Sequence, residues 1–296
     1  MRLDRIVTLC IDRPLAASGV LSRGPVLPIL MYHSISDDAE EGVGPYYRVA
    51  TDPRRFAAQM QLLSELGYVG VSVEEALRSM SNGTADRRRL VAITFDDGFR
   101  DFHTAAWPVL NSHKFSATMY LSTAFISSQR RSFLGRECLT WDEVRELRKQ
   151  GVQFGSHTVN HPELYKLPWQ QVVSEVEQSK ECIEQELYEE ITGFGYPYAF
   201  PQQDASFVAR FKELLNTCGY RNCVTTRIGR VKPDDDHFSL RRLPVNSCDD
   251  NALFAAKLNG AYDWLAYPQG WHKAIRFRFS RAAIAPVPAP STPQPL

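Results

Sequence analysis

The 296-residue sequence predicts an α/β protein in which a parallel sheet carries helices on its outer face, closed as a barrel of about seven strand–helix units. Short apolar runs alternate with amphipathic segments of helical period along most of the chain, and the number of these units favours a closed barrel over an open sheet. The third observation is positional. Barrels of this kind do their chemistry at the carboxyl ends of the strands, and here histidines, aspartates and a tyrosine follow the apolar runs.

Taken in order, LPILMYH, centred on 28–33, reads as a buried strand. DPRRFAAQMQLLSELG reads as a helix with Asp52 as N-cap, Pro53 at the first helical position and Gly67 at the C-terminus. Its Phe56, Met60, Leu63 and Leu66 recur at helical spacing and should face the core. Strands are predicted at 68–71, 90–95, 117–121, 152–155, 191–194, 221–225 and 240–245. Helices are predicted at 73–80, through Trp107 to His113, and at 141–150, 168–187, 205–218 and 252–258. Residues 1–24 read as an N-terminal extension without periodicity, 25–281 as the main folded domain, and 282–296 as a Pro-rich, extended tail.

Composition excludes several classes. Lys plus Arg number 34 and so do Asp plus Glu, so the basic excess of an electrostatic nucleic-acid binder is missing. Arg87, Arg88 and Arg89 read as a solvated approach to a strand. No apolar run is long enough to span a bilayer, and the N-terminus lacks a continuous apolar signal core, which makes a cytoplasmic protein the plain expectation. The six cysteines show no CxxC spacing and are expected to be reduced. Oligomeric state is not legible.

The strongest motif is Thr94-Phe95-Asp96-Asp97-Gly98. Two adjacent carboxylates at a strand end repel unless a cation or proton intervenes, and adjacent side chains point in different directions, so one can hold a metal while its neighbour faces the substrate. Asp is also a common helix cap, but Asp101 is the better cap for the helix that follows. The second motif, Ser156-His157-Thr158-Val159-Asn160-His161-Pro162, places two histidines four residues apart in what Pro162 marks as a loop. Asp97, His157 and His161 together make a three-ligand site with open positions for water and substrate.

TFDDG followed by SHTxxHP resembles the polysaccharide deacetylases of the NodB-homology type (carbohydrate esterase family 4), over roughly residues 27–250. The resemblance implies a distorted (β/α) barrel with fewer than eight complete units. It implies Asp96 as general base, and Asp97, His157 and His161 as ligands of one divalent ion. Zinc is the default for two imidazoles and a carboxylate, with cobalt or nickel as alternatives. The family's third motif is matched only in part by Gly195-Tyr196-Pro197-Tyr198-Ala199: Pro197 and Tyr198 are in place, and the backbone N–H of Tyr198 is expected to hold the oxyanion. The Arg that orients the catalytic Asp is replaced by Gly195, and Arg242 is the candidate substitute. Tyr196 is read as aromatic packing.

The segment Pro28 to His33 resembles the first strand of the exopolysaccharide (poly-N-acetylglucosamine) branch, where the acid motif lies at the chain start, which implies His33 as general acid. The expected activity is metal-dependent removal of the N-acetyl group from an N-acetylated sugar, giving acetate and a free amino sugar. The alternatives are hydrolysis of another amide or O-acetyl ester on the same site, and a catalytically silent carbohydrate-binding domain. Whether the sugar is polymeric, lipid-linked or small is left open.

Overall fold

The computed structural model describes residues 3–12, 26–82 and 89–266. Ten strands occur in it: β1 Ile29–Tyr32, β2 Tyr68–Val71, β3 Arg89–Phe95, β4 Thr118–Leu121, β5 Ser132–Phe133, β6 Arg136–Glu137, β7 Gln153–Ser156, β8 Gly193–Gly195, β9 Asn222–Ile228 and β10 Leu240–Pro244. β1 pairs in parallel with β10 on one side and with β3 on the other, which closes a ring in the order β1, β3, β4, β7, β8, β9, β10. Seven strands therefore form the barrel, as predicted. β2 is the exception: it pairs with the first half of β3 (Tyr68 opposite Arg89 to Val71 opposite Ala92), while the end of the same strand pairs with β4 (Thr94 opposite Thr118). The departure from a regular eight-fold barrel sits at this shared edge.

Alternation along the strands sorts side chains into two layers. On β3, Val91, Ile93 and Phe95 join the large cluster packed under the helices, whereas Leu90 and Ala92 join the smaller cluster that contains Ile29, Tyr120, Val224 and Leu240. Tyr120 fills the barrel interior. A Cβ on Gly155 would come within 2.6 Å of its ring, and one on Gly195 within 2.9 Å, so β7 and β8 must be glycine where they face it. Above this apolar plug the same inward register continues through Thr94 to Asp96 on β3 and through Leu240 to Arg242 on β10.

The helices form as their end signals dictate. In α2 (Pro53–Glu65), after α1 (Leu3–Val7), the Asp52 side chain accepts from the N–H groups of Arg54 and Arg55, a cap worth about 1 kcal/mol. Phe56, Met60 and Leu63 are buried and Leu66 half-buried. α3 spans Val73–Ser81. The next helix differs from expectation: Phe102–Ala106 is π-helical and only Trp107–Ser112 (α4) is α-helical. Pro108 explains it, because proline lacks an N–H and its ring collides with the carbonyl four residues back, so the ladder widens. α5 (Trp141–Lys149) opens with a reciprocal capping box between Thr140 and Glu143, and α6 (Trp169–Leu187), α7 (Ala205–Thr217) and α8 (Asn251–Leu258) complete the outer layer.

Residues 3–12 pack onto the end of the domain. Arg5 pairs with Asp250 at 2.5 Å, the Tyr262 hydroxyl donates to Asp4 at 2.8 Å, and Trp264 Nε1 donates to Thr8 Oγ1 at 3.1 Å. The proposed boundaries at 24/25 and 281/282, the Pro-rich tail and two of the three tandem arginines lie outside the described residues. The six cysteines are free thiols, and among the described residues no helix is long and apolar enough to cross a membrane.

Candidate active site

Asp96 and Asp97 leave the end of β3 in different directions because the backbone reverses there. Asp96 keeps the inward register, whereas Asp97 (φ 75°) and Gly98 (φ 75°) both adopt the left-handed conformation, which turns the second carboxylate toward the barrel mouth. Thr158 (φ 70°) and His161 (φ 54°) do the same in the loop after β7, which brings two rings separated by three residues onto one side. As Pro162 leads one to expect, this stretch is a strand-end loop and no helix forms through His161.

Asp97, His157 and His161 each offer one ligand atom, and these atoms lie within 4.8 Å of one another. Asp97 Oδ1 is 3.2 Å from His161 Nε2 and 3.6 Å from His157 Nε2. His157 Nδ1 is 2.6 Å from the Gly195 carbonyl; that carbonyl can only accept, so Nδ1 carries the proton and Nε2 keeps its lone pair. Asp97 Oδ1 is buried without a hydrogen-bond partner, a costly arrangement for an oxygen unless something positive meets it. A buried oxygen flanked by two imidazole nitrogens is the donor set of a divalent transition ion, and these residues fit one.

The electrostatics point the same way. Burial, reinforced by the neighbouring Asp96 charge, pushes the Asp97 carboxyl up to about 8. Burial also lowers His161 to about 3, aided by His157, and lowers His157 despite the opposing pull of Asp96. A cation beside Asp97 would favour the ionised carboxylate and both neutral imidazoles together.

Asp96 has a different environment. Arg242 Nη1 donates to Asp96 Oδ1 at 2.7 Å and Nη2 to Oδ2 at 2.8 Å, a parallel fork buried on both sides. Burial alone would raise the Asp96 pKa, but the Arg242 charge and its hydrogen bonds, with His157 and His33 nearby, hold it well below the usual carboxylate range. Arg242 is itself fixed: Nε donates to the Thr225 carbonyl at 3.0 Å and Nη1 to Thr94 Oγ1 at 3.2 Å. The pairing of β9 and β10 is irregular between Leu240 and Arg242, and Thr225 lies in the β9 stretch skipped there.

His33 follows β1 directly. Its Nε2 lies 3.8 Å from Asp96 Oδ2, and burial lowers its pKa to about 4 against the pull of Asp96. Pro197 is buried, and Tyr198 (φ 55°) presents a half-exposed ring 4.6 Å from that of His161. On another side of His161 stands Phe133, at 5.2 Å, from the β5–β6 hairpin. Tyr196 is fully buried against Phe200 and Phe211, the packing role expected of it. Trp141 is buried in the helix-side cluster, His103 faces Glu143 and Glu146, and His272 lies outside the described residues.

The candidate ligands Asp97, His157 and His161, together with Asp96, His33, Arg242 and the Pro197-Tyr198 segment, thus lie together at one end of the barrel. Sequence reasoning missed the Gly195 carbonyl, the Thr94 hydroxyl and Phe133. Gly195 carried a signal in hindsight: a Cβ there would lie 2.9 Å from His157 Nδ1, so the position read as a lost arginine has no room for a side chain. The two-residue strands of the hairpin left no periodicity from which Phe133 could be placed.

Comparison with known proteins agrees with this geometry. The family model for polysaccharide deacetylase matches residues 83–222. YxkH of Bacillus subtilis (strain 168), which carries the polysaccharide deacetylase name, is 30% identical over 234 residues, covering 78% of this chain and 75% of that protein. The poly-β-1,6-N-acetyl-D-glucosamine N-deacetylase of Escherichia coli (strain K12) is 27% identical over 140 residues, 44% of this chain but only 20% of that longer protein. Among solved structures, the Streptococcus pyogenes deacetylase PplD in complex with acetate superposes with a TM-score of 0.67 at 24% identity, covering 80% of this chain and 99% of that one. IcaB from Ammonifex degensii gives 0.62 at 24% identity, covering 80% and 98%. These two likenesses show the fold, a NodB-type barrel, and the match to YxkH shows that the chain belongs to the polysaccharide deacetylase family of enzymes.

Proposed function

We propose that this protein removes the acetyl group from an N-acetylated sugar by metal-dependent amide hydrolysis. The observation that carries the reading is the division of labour between adjacent aspartates: Asp97 lies among His157 and His161, while Asp96 is gripped by Arg242 and faces His33. Asp97, His157 and His161 would hold the ion, with zinc as the first choice and cobalt or nickel as alternatives. When bound, it would supply Lewis-acid polarisation of the acetyl carbonyl and of the attacking water.

The remaining work falls to the chain's own residues. Asp96, kept ionised by Arg242, accepts the proton of the attacking water. The developing oxyanion is met by the backbone N–H of Tyr198, and Pro197 stiffens the approach to that peptide. An amide nitrogen departs only when protonated, and His33 supplies that proton. Its Nε2 stands 3.8 Å from Asp96 Oδ2, so a proton collected by the carboxylate has a short path to the imidazole. The similarity to the E. coli enzyme supports an N-acetylglucosamine polymer as the substrate class.

The test is product analysis on matched N-acetyl and O-acetyl sugars, with purified protein, added zinc and a chelated control. Release of acetate together with a free amine from the N-acetyl substrate, abolished by chelator, is the expected result. Acetate from the O-acetyl substrate alone would move the assignment to an esterase, and no release from either would oppose a hydrolytic role.

A further inference from the structure

The turn after β3 carries a third aspartate whose sequence position suggests a helix cap. Asp101 makes no regular side-chain cap hydrogen bond to the helix that begins beside it, although the adjacent Phe102 N–H favours its carboxylate. It reaches across to the segment leaving β1 instead, where Ser34 Oγ donates to Asp101 Oδ2 at 2.5 Å. Ser34 is completely buried and is the residue immediately after His33. Its hydroxyl also lies 2.8 Å from Ser36 Oγ, and its carbonyl accepts from the Thr51 N–H at 2.9 Å.

The contact falls where the sheet stops holding. β1 and β3 run in register up to Tyr32 opposite Phe95, and the Asp96 N–H to Tyr32 carbonyl bond at 3.1 Å continues the tie just past that pair. His33 and Asp96 lie beyond the ladder, yet their side chains must meet. A carboxylate–hydroxyl bond is charge-assisted and among the stronger, shorter hydrogen bonds. Here it joins the turn that carries Asp96 and Asp97 to the backbone that carries His33.

We propose that Asp101 is a positioning residue for the proton donor, fixing the backbone at His33 through Ser34 so that Nε2 stays opposed to Asp96. The inference rests on the deacetylase reading and on His33 as its donor. In this role Asp101 acts through His33 and is not itself a ligand of the ion, whose donor set is Asp97, His157 and His161.

A double-mutant cycle tests this, with acetate release and bound metal measured on the full chain. Asp101→Ala should lower kcat about 10- to 100-fold, the scale of a roughly 1 Å misplacement of a reacting group, with KM and metal content unchanged. Asp101→Asn, which keeps an acceptor for Ser34, should restore most of the loss. In a His33→Ala background, Asp101→Ala should have no further effect, because the residue it positions is gone. Should Asp101→Ala fold poorly, Ser34→Ala removes the same bond and carries the same cycle. Multiplicative losses in the double variant, or loss of metal, would overturn the positioning role while the wild type still turned over. A wild type that releases no acetate would overturn the deacetylase reading itself.

Discussion

Arg242 binds both oxygens of Asp96, at 2.7 and 2.8 Å, from a strand on the far side of β1 from β3. The fork fixes the carboxylate plane and its charge together. Arg242→Lys offers a single ammonium with no fork, so kcat should fall by about 10²-fold through misalignment of the base. Arg242→Met leaves a buried carboxylate unpaired and should cost about 3–5 kcal/mol of stability, read as a lowered unfolding midpoint. An Arg242→Lys enzyme with wild-type kcat would mean that orientation of Asp96 is set elsewhere.

Gly195 sits under the ring of His157, and its carbonyl sets that ring's tautomer at 2.6 Å. Gly195→Ala places a methyl 2.9 Å from both His157 Nδ1 and the Tyr120 ring, so the imidazole must move. Metal affinity should fall about 10- to 100-fold, the usual effect of disturbing a ligand's supporting partner. Competition against a chromogenic chelator measures it, and unchanged affinity would show that His157 is held by other contacts.

Tyr198 has two parts that can be separated. At φ 55° a side chain is strained, and Tyr198→Gly relieves that strain while keeping the backbone N–H. Turnover should survive within about a few-fold if the peptide is the working part. A loss of about 10²-fold, the size associated with removing an oxyanion donor, would assign the role to the ring over His161 instead.

Glu143 makes the fold acid-sensitive at the start of α5. Burial would raise its pKa, but hydrogen bonds from Arg130, the Thr140 N–H and Arg100 outweigh it and hold the carboxyl at about 2, against an ordinary value of 4.5. Because the folded-state pKa is the lower one, this stabilisation is fully present above about pH 4.5 and is lost as pH falls toward 2. In urea melts, the gap between wild type and Glu143→Gln should be constant at neutral pH and shrink through that window. A gap that persists at pH 2 would contradict the assignment.

Most of the barrel was legible because strands buried on both faces read as apolar runs and helices carry end signals such as Asp52-Pro53. Three features escaped for physical reasons. β2 has an ordinary strand sequence, and nothing in it announces that β3 will share one edge between two partners. The π-helical turn before Pro108 was written in the sequence, but the alternatives of kink, break and widened ladder look alike there. Asp101 matched a cap by position, and only the fold brings Ser34 within its reach. In the site, Arg242 was legible because a missing cation had to be replaced, whereas Gly195 works through its backbone and its lack of a side chain, neither of which a motif encodes.

The central claim is that adjacent aspartates do different work, and it is tested most directly by measuring bound metal and acetate release in Asp96→Asn and Asp97→Asn side by side. Asp96→Asn should bind metal like the wild type and lose turnover, since an amide cannot accept the water's proton. Asp97→Asn should lose the metal itself, and its activity with it. Loss of metal in Asp96→Asn with retention in Asp97→Asn would reverse the two roles and contradict the account.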